Sequence, residues 1–366
     1  MFNGLKIIST SYTKTESFND PQQWLQRINF YTGILKELAK ENDVTSIERI
    51  NYEGELRDGG VSYHFIDLKK RVVRFPWKMH SYIRKQKPHL VLVNGLAFPL
   101  QIIQLRFVLG KDVKIVLLHR AEKPFSGIKK YIQRMADKYV NAYLFTSTAF
   151  GQQWGKNINV KKIHEVVQAS SVFQIEDKQL ARVQLQLNSS PIFLWVGRLD
   201  SNKDPLTVVK AFLKFLAYQP SAMLYMIFQT NELLEEVEKM VAESKNIVLV
   251  GKVEHNKLQS WHSAADFIIS GSHYEGNGIS VIEAMSCGCI PIVTDINSFR
   301  GMTRNGNCGM LYEPGNDKEL LMTLLKTEEL DIQKESEKVL EQFNNELSFQ
   351  AIRLKIEKVI ESINVS

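Results

Sequence analysis

Short apolar runs alternate with amphipathic helical patterns through both halves of this chain. Apolar runs bounded by turn residues read as strands at Leu5–Ser9, Val44–Ile50, Val61–Ile66, Leu90–Asn94, Val113–Leu118, Ala142–Thr146 and Ile163–Val167. A second series follows at Ile192–Val196, Met223–Phe228, Ile247–Val250, Phe267–Ser270, Ile290–Thr294 and Met310–Tyr312. Near-continuous apolar strands are those covered on both faces, as in parallel sheets. Strands alternating with helices predict an α/β chain made of two doubly wound, Rossmann-like domains. The change from one half to the other falls near Ser170-Ser171, so the expected domains are 1–170 and 171–346.

Helix starts are marked by capping chemistry. Asp20 followed by Pro21 reads as an N-cap and first helical residue, ahead of a stripe Trp24, Ile28, Tyr31, Leu35 and Leu38. Asp204 and Pro205 repeat the signal ahead of Leu206, Val209, Leu213 and Leu216. The last helix carries Phe349, Ile352, Ile356, Val359 and Ile363 on one face.

The densest chemistry lies in Gly271-Ser-His-Tyr-Glu-Gly-Asn-Gly-Ile-Ser-Val-Ile-Glu-Ala-Met-Ser-Cys-Gly288. Gly276 and Gly278 allow turn conformations and close approach to a ligand. Ile279, Ile282 and Met285 at helical spacing predict a helix that begins near Gly278 and stops at Gly288. Its first N–H groups lack intrahelical partners and carry the positive end of the dipole, which suits a phosphate. Glu275 stands just before those donors. Glu283 lies inside the helix, roughly 7.5 Å along its axis. Two carboxylates so spaced suit a long ligand with hydroxyls at two points. Taken singly, each would pass for a solvated charge.

A second site of matching chemistry lies upstream. Pro191–Gly197 reads as a buried strand ended by glycine, and Arg198-Leu-Asp-Ser-Asn-Lys203 as the loop after it. Arg198 offers a planar fork and Lys203 a mobile point charge at a strand-to-helix turn, where open α/β sheets bind ligands. Taken alone they read as two solvated loop charges.

Val-Gly-Arg-Leu-Asp-Ser-Asn-Lys-Asp, followed by Tyr-Glu-Gly-Asn-Gly-Ile-Ser-Val-Ile-Glu-Ala-Met-Ser-Cys-Gly, resembles the paired motifs of the family 4 retaining glycosyltransferases. The likeness extends over nearly the whole chain. It implies the GT-B fold, with two domains facing a cleft and the terminal helix, 347–366, returning to the first domain. It implies a nucleotide-diphosphate sugar, UDP- or GDP-linked, as donor, no cofactor and no metal, and a sugar or lipid-linked hydroxyl acceptor in polysaccharide or glycolipid biosynthesis. Arg198 and Lys203 match the diphosphate cations, Glu275 the glutamate at the transferred sugar, and Glu283 the one at the ribose. Gly197 closes the first motif. Gly276, Asn277, Gly278 and Ile279 match the cradle of sugar and phosphate. Val253, in Gly251-Lys-Val253, matches the nucleobase loop. His119 matches a histidine that faces the donor sugar, although by its position alone it reads as a strand-end histidine with satisfied hydrogen bonds.

The expected chemistry is front-face attack with retention, the departing phosphate taking the acceptor proton. A glycosidase-type double displacement needs two carboxylates about 5 Å apart across the bond, and Glu275 and Glu283 are expected at different parts of the donor. An epimerase or hydrolase on the same fold, or a non-catalytic membrane-binding protein, is the alternative.

Charge is uneven. Residues 1–170 hold 27 Lys+Arg against 14 Asp+Glu, net +13, and residues 171–366 hold 19 against 26, net −7. Lys69, Lys70, Arg71, Arg74, Lys78, Arg84, Lys85 and Lys87 form the densest stretch, interleaved with Phe75, Trp77 and Tyr82; Lys129-Lys-Tyr-Ile-Gln-Arg134 is a second. A solvated face is the ordinary use of such charge. Aromatics among cations also suit an anionic membrane surface, whereas no recognised nucleic-acid module accompanies them. Cys287, Cys289 and Cys308 form neither a disulfide framework nor a zinc signature and read as buried thiols. With no signal peptide or apolar span in view, the expectation is a cytoplasmic enzyme, peripheral at the inner membrane face if the basic half binds lipid.

Three places depart from the family pattern. The loop after the first strand, Thr10-Ser-Tyr-Thr-Lys-Thr-Glu-Ser-Phe18, has no glycine pair, Ala169-Ser-Ser171 replaces an Asn-Gly, and Asn277 stands where an aromatic is common. These bear on acceptor and sugar rather than on fold.

Overall fold

A computed structural model describes residues 4–67, 74–188 and 190–363. The chain forms two compact units, Met1–Ser170 with Phe349–Ser366, and Ser171–Ser348.

The first unit is an eight-stranded sheet: β1 (Lys6–Ser11), β2 (Asp43–Glu48), β3 (Gly54–Asp58), β4 (Val61–Phe65), β5 (Leu90–Asn94), β6 (Lys114–Leu118), β7 (Ala142–Phe145) and β8 (Ile163–Glu165). Their spatial order is β3-β4-β2-β1-β5-β6-β7-β8. All neighbours pair parallel except β3, which turns back on β4 through Gly59-Gly60. The apolar pattern does not mark β3, an edge strand of Gly-Glu-Leu-Arg-Asp whose side chains alternate between exposed and half-buried. Its helices are α1 (Pro21–Arg27), α2 (Asn29–Leu38), α3 (Trp77–Lys85), α4 (Pro99–Leu109), α5 (Gly127–Asp137) and α6 (Thr148–Gln152). Ile8, Val91, Val93, Ile115 and Leu117 from the strands pack with Ile102 and Leu105 of α4 in the core.

Asp20 caps α1 as expected, accepting from the N–H groups of Gln22 and Gln23. The single helix read from Trp24 to Leu38 is instead two. At Ile28 the backbone turns out of helical geometry (φ −107°, ψ 21°), although the side-chain stripe continues past it.

The second unit is a wholly parallel six-stranded sheet: β9 (Ile192–Gly197), β10 (Met223–Phe228), β11 (Ile247–Gly251), β12 (Phe267–Ser270), β13 (Ile290–Thr294) and β14 (Met310–Tyr312). The order β11-β10-β9-β12-β13-β14 is the Rossmann order, and it reverses between β9 and β12. The helices are α7 (Lys178–Gln184), α8 (Pro205–Phe215), α9 (Leu234–Val241), α10 (Leu258–Ala264), α11 (Ile279–Ser286), α12 (Asn297–Met302), α13 (Asp317–Leu325) and α14 (Ile332–Gln342). The stripe expected on α8 is corrected. Val208, Val209, Ala211, Phe212 and Phe215 are buried, whereas Leu206, Leu213 and Leu216 are only half-buried. The aromatic rings decide this: Phe193 of β9 meets Phe212 and Phe215 edge-on, at 5.2 and 5.7 Å.

A final helix, α15 (Phe349–Ser362), belongs to the first unit and packs on α2. Arg353 on it binds Glu41 at 2.6 Å. In the basic stretch of this unit, Lys69, Lys70 and Arg71 lie outside the described residues, and Arg74, Lys78, Arg84, Lys85 and Lys87 are exposed. The three cysteines are buried free thiols, and burial pushes Cys287 and Cys308 up to about 11. Among the described residues no helix is long and apolar enough to cross a membrane.

Candidate active site

Open parallel sheets bind ligands at the carboxyl ends of the strands where the order reverses. In the second unit that point lies between β9 and β12. The loop after β9 carries Arg198 and Lys203, and the loop after β12 carries Glu275 and leads into α11.

Asp200 organises the first loop. Its carboxylate accepts from the Lys203 N–H at 2.9 Å and pairs with the Arg198 guanidinium at 3.0 Å. Asp204 caps α8 through the Thr207 N–H and hydroxyl, at 3.2 and 2.8 Å.

The second loop is fastened to the first. The His273 N–H donates to the Asn202 carbonyl at 2.8 Å, and the Asn202 amide donates to the Tyr274 carbonyl at 3.1 Å. His273 Nε2 lies 3.0 Å from Asp204 Oδ2. Gly271 makes this approach possible: a Cβ there would lie 2.8 Å from the Asp204 carbonyl oxygen and 3.0 Å from that of Lys203. Lys203 Nζ reaches across to Glu275 Oε1, which also accepts from Ser272 Oγ at 2.8 Å.

The helix start expected near Gly278 is observed. Gly278 is the N-cap of α11 at φ 58°, ψ 49°, a left-handed conformation that favours glycine, and it offers no side-chain cap. The N–H groups of Ile279 and Ser280 therefore stand at the helix end without intrahelical acceptors. Asn277 and Gly276 lie half-buried in the loop before it.

Glu283 is not a surface charge. It is buried on α11, and its Oε1 lies 2.6 Å from His255 Nε2. The His255 ring rests on Phe173, centroids 4.9 Å apart. His255 follows β11 and the Gly251–Val253 loop, in which Val253 packs against the core of this unit. Sequence reasoning missed His255, because nothing in its local pattern marks a partner 28 residues on. Behind it His262 is fully buried, and burial, aided by the charge of His255, pushes its imidazole down to about 3.

The structure thus joins Lys203 to Glu275, Arg198 to Asp200 and Glu283 to His255. Gly197 ends β9, with Trp195 packed beneath it. His119 lies in the first unit, just after β6. It is buried, its ring stacks on Phe145 at 4.5 Å, and its Nε2 lies 3.0 Å from the Glu122 carbonyl. Burial lowers its pKa. Among the described residues no group of three or more His, Cys, Asp or Glu side chains could hold a metal ion.

Residues 177–344 match the family model described as Glycosyl transferases group 1, and that stretch lies within the second unit. Across both units the fold is GT-B. Anabaena HepE in complex with UDP and glucose superposes with a TM-score of 0.67 over 98% of this chain and 100% of its own, at 14% identity, a likeness of fold alone.

Two curated relatives are similar over part of this chain. The D-inositol 3-phosphate glycosyltransferase of Streptosporangium roseum is 26% identical over 161 residues, 41% of this chain and 37% of that protein. The poly(glycerol-phosphate) alpha-glucosyltransferase of Bacillus subtilis is 33% identical over 141 residues, 36% of this chain and 20% of that protein. The matched part of this chain therefore spans well under two thirds of either relative's length.

Proposed function

We propose that this protein is a retaining hexosyltransferase that moves a sugar from a UDP- or GDP-sugar to a hydroxyl acceptor, sugar or lipid-linked, in polysaccharide or glycolipid biosynthesis. The observation that carries the reading is the pair of fastened loops at the sheet's reversal point. They bring Lys203 against Glu275 beside the uncapped start of α11, with Glu283 farther along the same helix. The names of the similar proteins support it: each relative is a glycosyltransferase, and HepE binds UDP and glucose.

In this reading the diphosphate meets Arg198, Lys203 and the N–H groups of Ile279 and Ser280. Arg198 is exposed enough to turn from Asp200 toward it, and Lys203 bridges it to Glu275. Glu275 holds hydroxyls of the transferred sugar. Glu283 keeps one oxygen on His255 and offers the other to the ribose, while Val253 borders the base.

The acceptor oxygen forms a bond to the anomeric carbon on the face from which the phosphate departs. The carbon–phosphate oxygen bond breaks, and the acceptor proton passes to the departing phosphate. The enzyme contributes positioning and stabilises charge on the leaving group, with cations and helix N–H groups in the place of a metal.

A thermal-shift panel of UDP-, GDP- and ADP-sugars tests the reading. A ligand at about 100 times its dissociation constant adds roughly 2.7 kcal/mol, so the correct donor raises the melting temperature measurably. No shift with any donor would overturn the reading. Donor consumption without acceptor would replace it with a hydrolase or epimerase. Activity lost to EDTA and restored by Mn²⁺ would remove the metal-free part.

A further inference from the structure

α5 is anchored by one face and bare on the other. Its buried face holds Ala136 and Gln133, whose side-chain amide donates to the Leu96 carbonyl and accepts from Asn157 at 2.6 Å. On the opposite side Ile128, Tyr131 and Met135 are 82%, 63% and 55% exposed. Their spacing of three and four residues places them in one stripe. Isolated exposed apolar residues are ordinary, but a row of them on one helix is not.

Apart from Asp137, the charged residues of α5 are all cations. Lys129, Lys130 and Arg134 lie on the helix and Lys138 just past it, with Arg134 6.0 Å over the Tyr131 ring. The one acidic residue of α5, Asp137, is turned to the protein, where it accepts from the Tyr143 hydroxyl at 3.0 Å and pairs with Lys162 at 3.5 Å. Neighbouring α4 adds exposed Phe107, its ring 6.0 Å from that of Tyr139.

We infer that α5 is a membrane-docking face that lies in the surface of an anionic phospholipid bilayer. Ile128, Tyr131 and Met135 enter the acyl boundary, and the surrounding cations meet lipid phosphates. An amphipathic helix with a basic rim binds a lipid surface in this way without spanning it. A second copy of the same face would set like charges against each other, so self-association does not explain the stripe. This inference stands apart from the transfer reaction, and its test uses no donor.

The test is sedimentation of the full chain with vesicles of phosphatidylcholine alone and of phosphatidylcholine mixed with phosphatidylglycerol. The protein should pellet with the anionic vesicles only, less at high salt. Ile128→Ser/Tyr131→Ser/Met135→Ser should weaken partitioning about tenfold or more, and Lys129→Gln/Lys130→Gln/Lys138→Gln should weaken it similarly. A polarity-sensitive fluorophore on Met135→Cys should brighten with anionic vesicles. All substituted side chains are surface groups, so melting curves should match the parent protein. The inference falls if the parent protein ignores anionic vesicles, if the serine variant binds as well as it does, or if the stripe instead mediates a dimer that the serine variant dissociates.

Discussion

Lys203 and Glu275 form an ion pair between two loops whose residues stand 72 positions apart, and both side chains are less than one-fifth exposed. Truncating one partner of such a pair leaves the other charge without its counter-ion, whereas removing both is milder. Lys203→Met and Glu275→Gln should each lower the melting temperature and turnover. The double variant should recover part of the stability and none of the turnover. Thermal melts decide the first point, and strictly additive losses would refute the coupling.

His255 holds Glu283 in place, so its loss should weaken donor binding more than it slows the chemistry. A hydrogen bond to a charged group contributes about 1.5–3 kcal/mol, which predicts roughly tenfold or greater loss of donor affinity in His255→Ala. His255→Gln, which keeps a donor, should restore part of it. Initial-rate kinetics over a donor series separate KM from kcat. A fall in kcat alone would refute the positioning role.

Among the described residues Arg198 pairs with Asp200, and its side chain is mostly exposed. Arg198→Ala should therefore leave stability within about 0.5 kcal/mol while turnover falls on the order of 100-fold. Near-parental kinetics in this variant would remove Arg198 from the leaving-group site.

Gly271→Ala tests how tightly the loops are fastened. The added methyl meets two backbone carbonyl oxygens, which cannot swing away as a flexible side chain would. Urea unfolding should show a loss of about 1–3 kcal/mol, with lower turnover. A variant of unchanged stability and rate would mean that the two loops are free to part.

Two buried histidines predict an acid-sensitive fold. Burial pushes His80 down to about 4 and His262 to about 3. An unfolded histidine takes up a proton near pH 6.5, so stability is full above that pH. It is lost as pH falls from there toward the folded values, by about 1.4 kcal/mol per unit for each residue. His262, whose ring nitrogens have no hydrogen-bond partner among the described residues, should tolerate His262→Phe well. That variant should flatten the fall in melting temperature between about pH 7 and about pH 5. Equal slopes in parent and variant would refute it.

What could be read in the sequence followed the physics of burial. Met223–Phe228, Phe267–Ser270, Ile290–Thr294 and Met310–Tyr312 are strands with the expected bounds, because a strand covered on both faces must be apolar throughout. β3 escaped notice because an edge strand has no such requirement. The break at Ile28 escaped notice because a short turn between helices can leave the side-chain stripe in phase. At the site, Gly278 announced the start of α11, since only its backbone conformation was at issue. The pairs Lys203–Glu275 and His255–Glu283 join separate elements, and no local pattern encodes a distance between elements.

The strand order also fixes how the site tolerates change. β9 and β12 are hydrogen-bonded neighbours, about 4.8 Å apart at their axes, so the two loops start from a fixed gauge however long the chain between them. Under the proposed function, insertions in β10, β11 or their helices would alter what borders the base without moving Lys203 relative to Glu275. Under the proposed function, the part of the ligand that differs from one nucleotide to another and the part common to all of them would thus be served by segments that can vary independently.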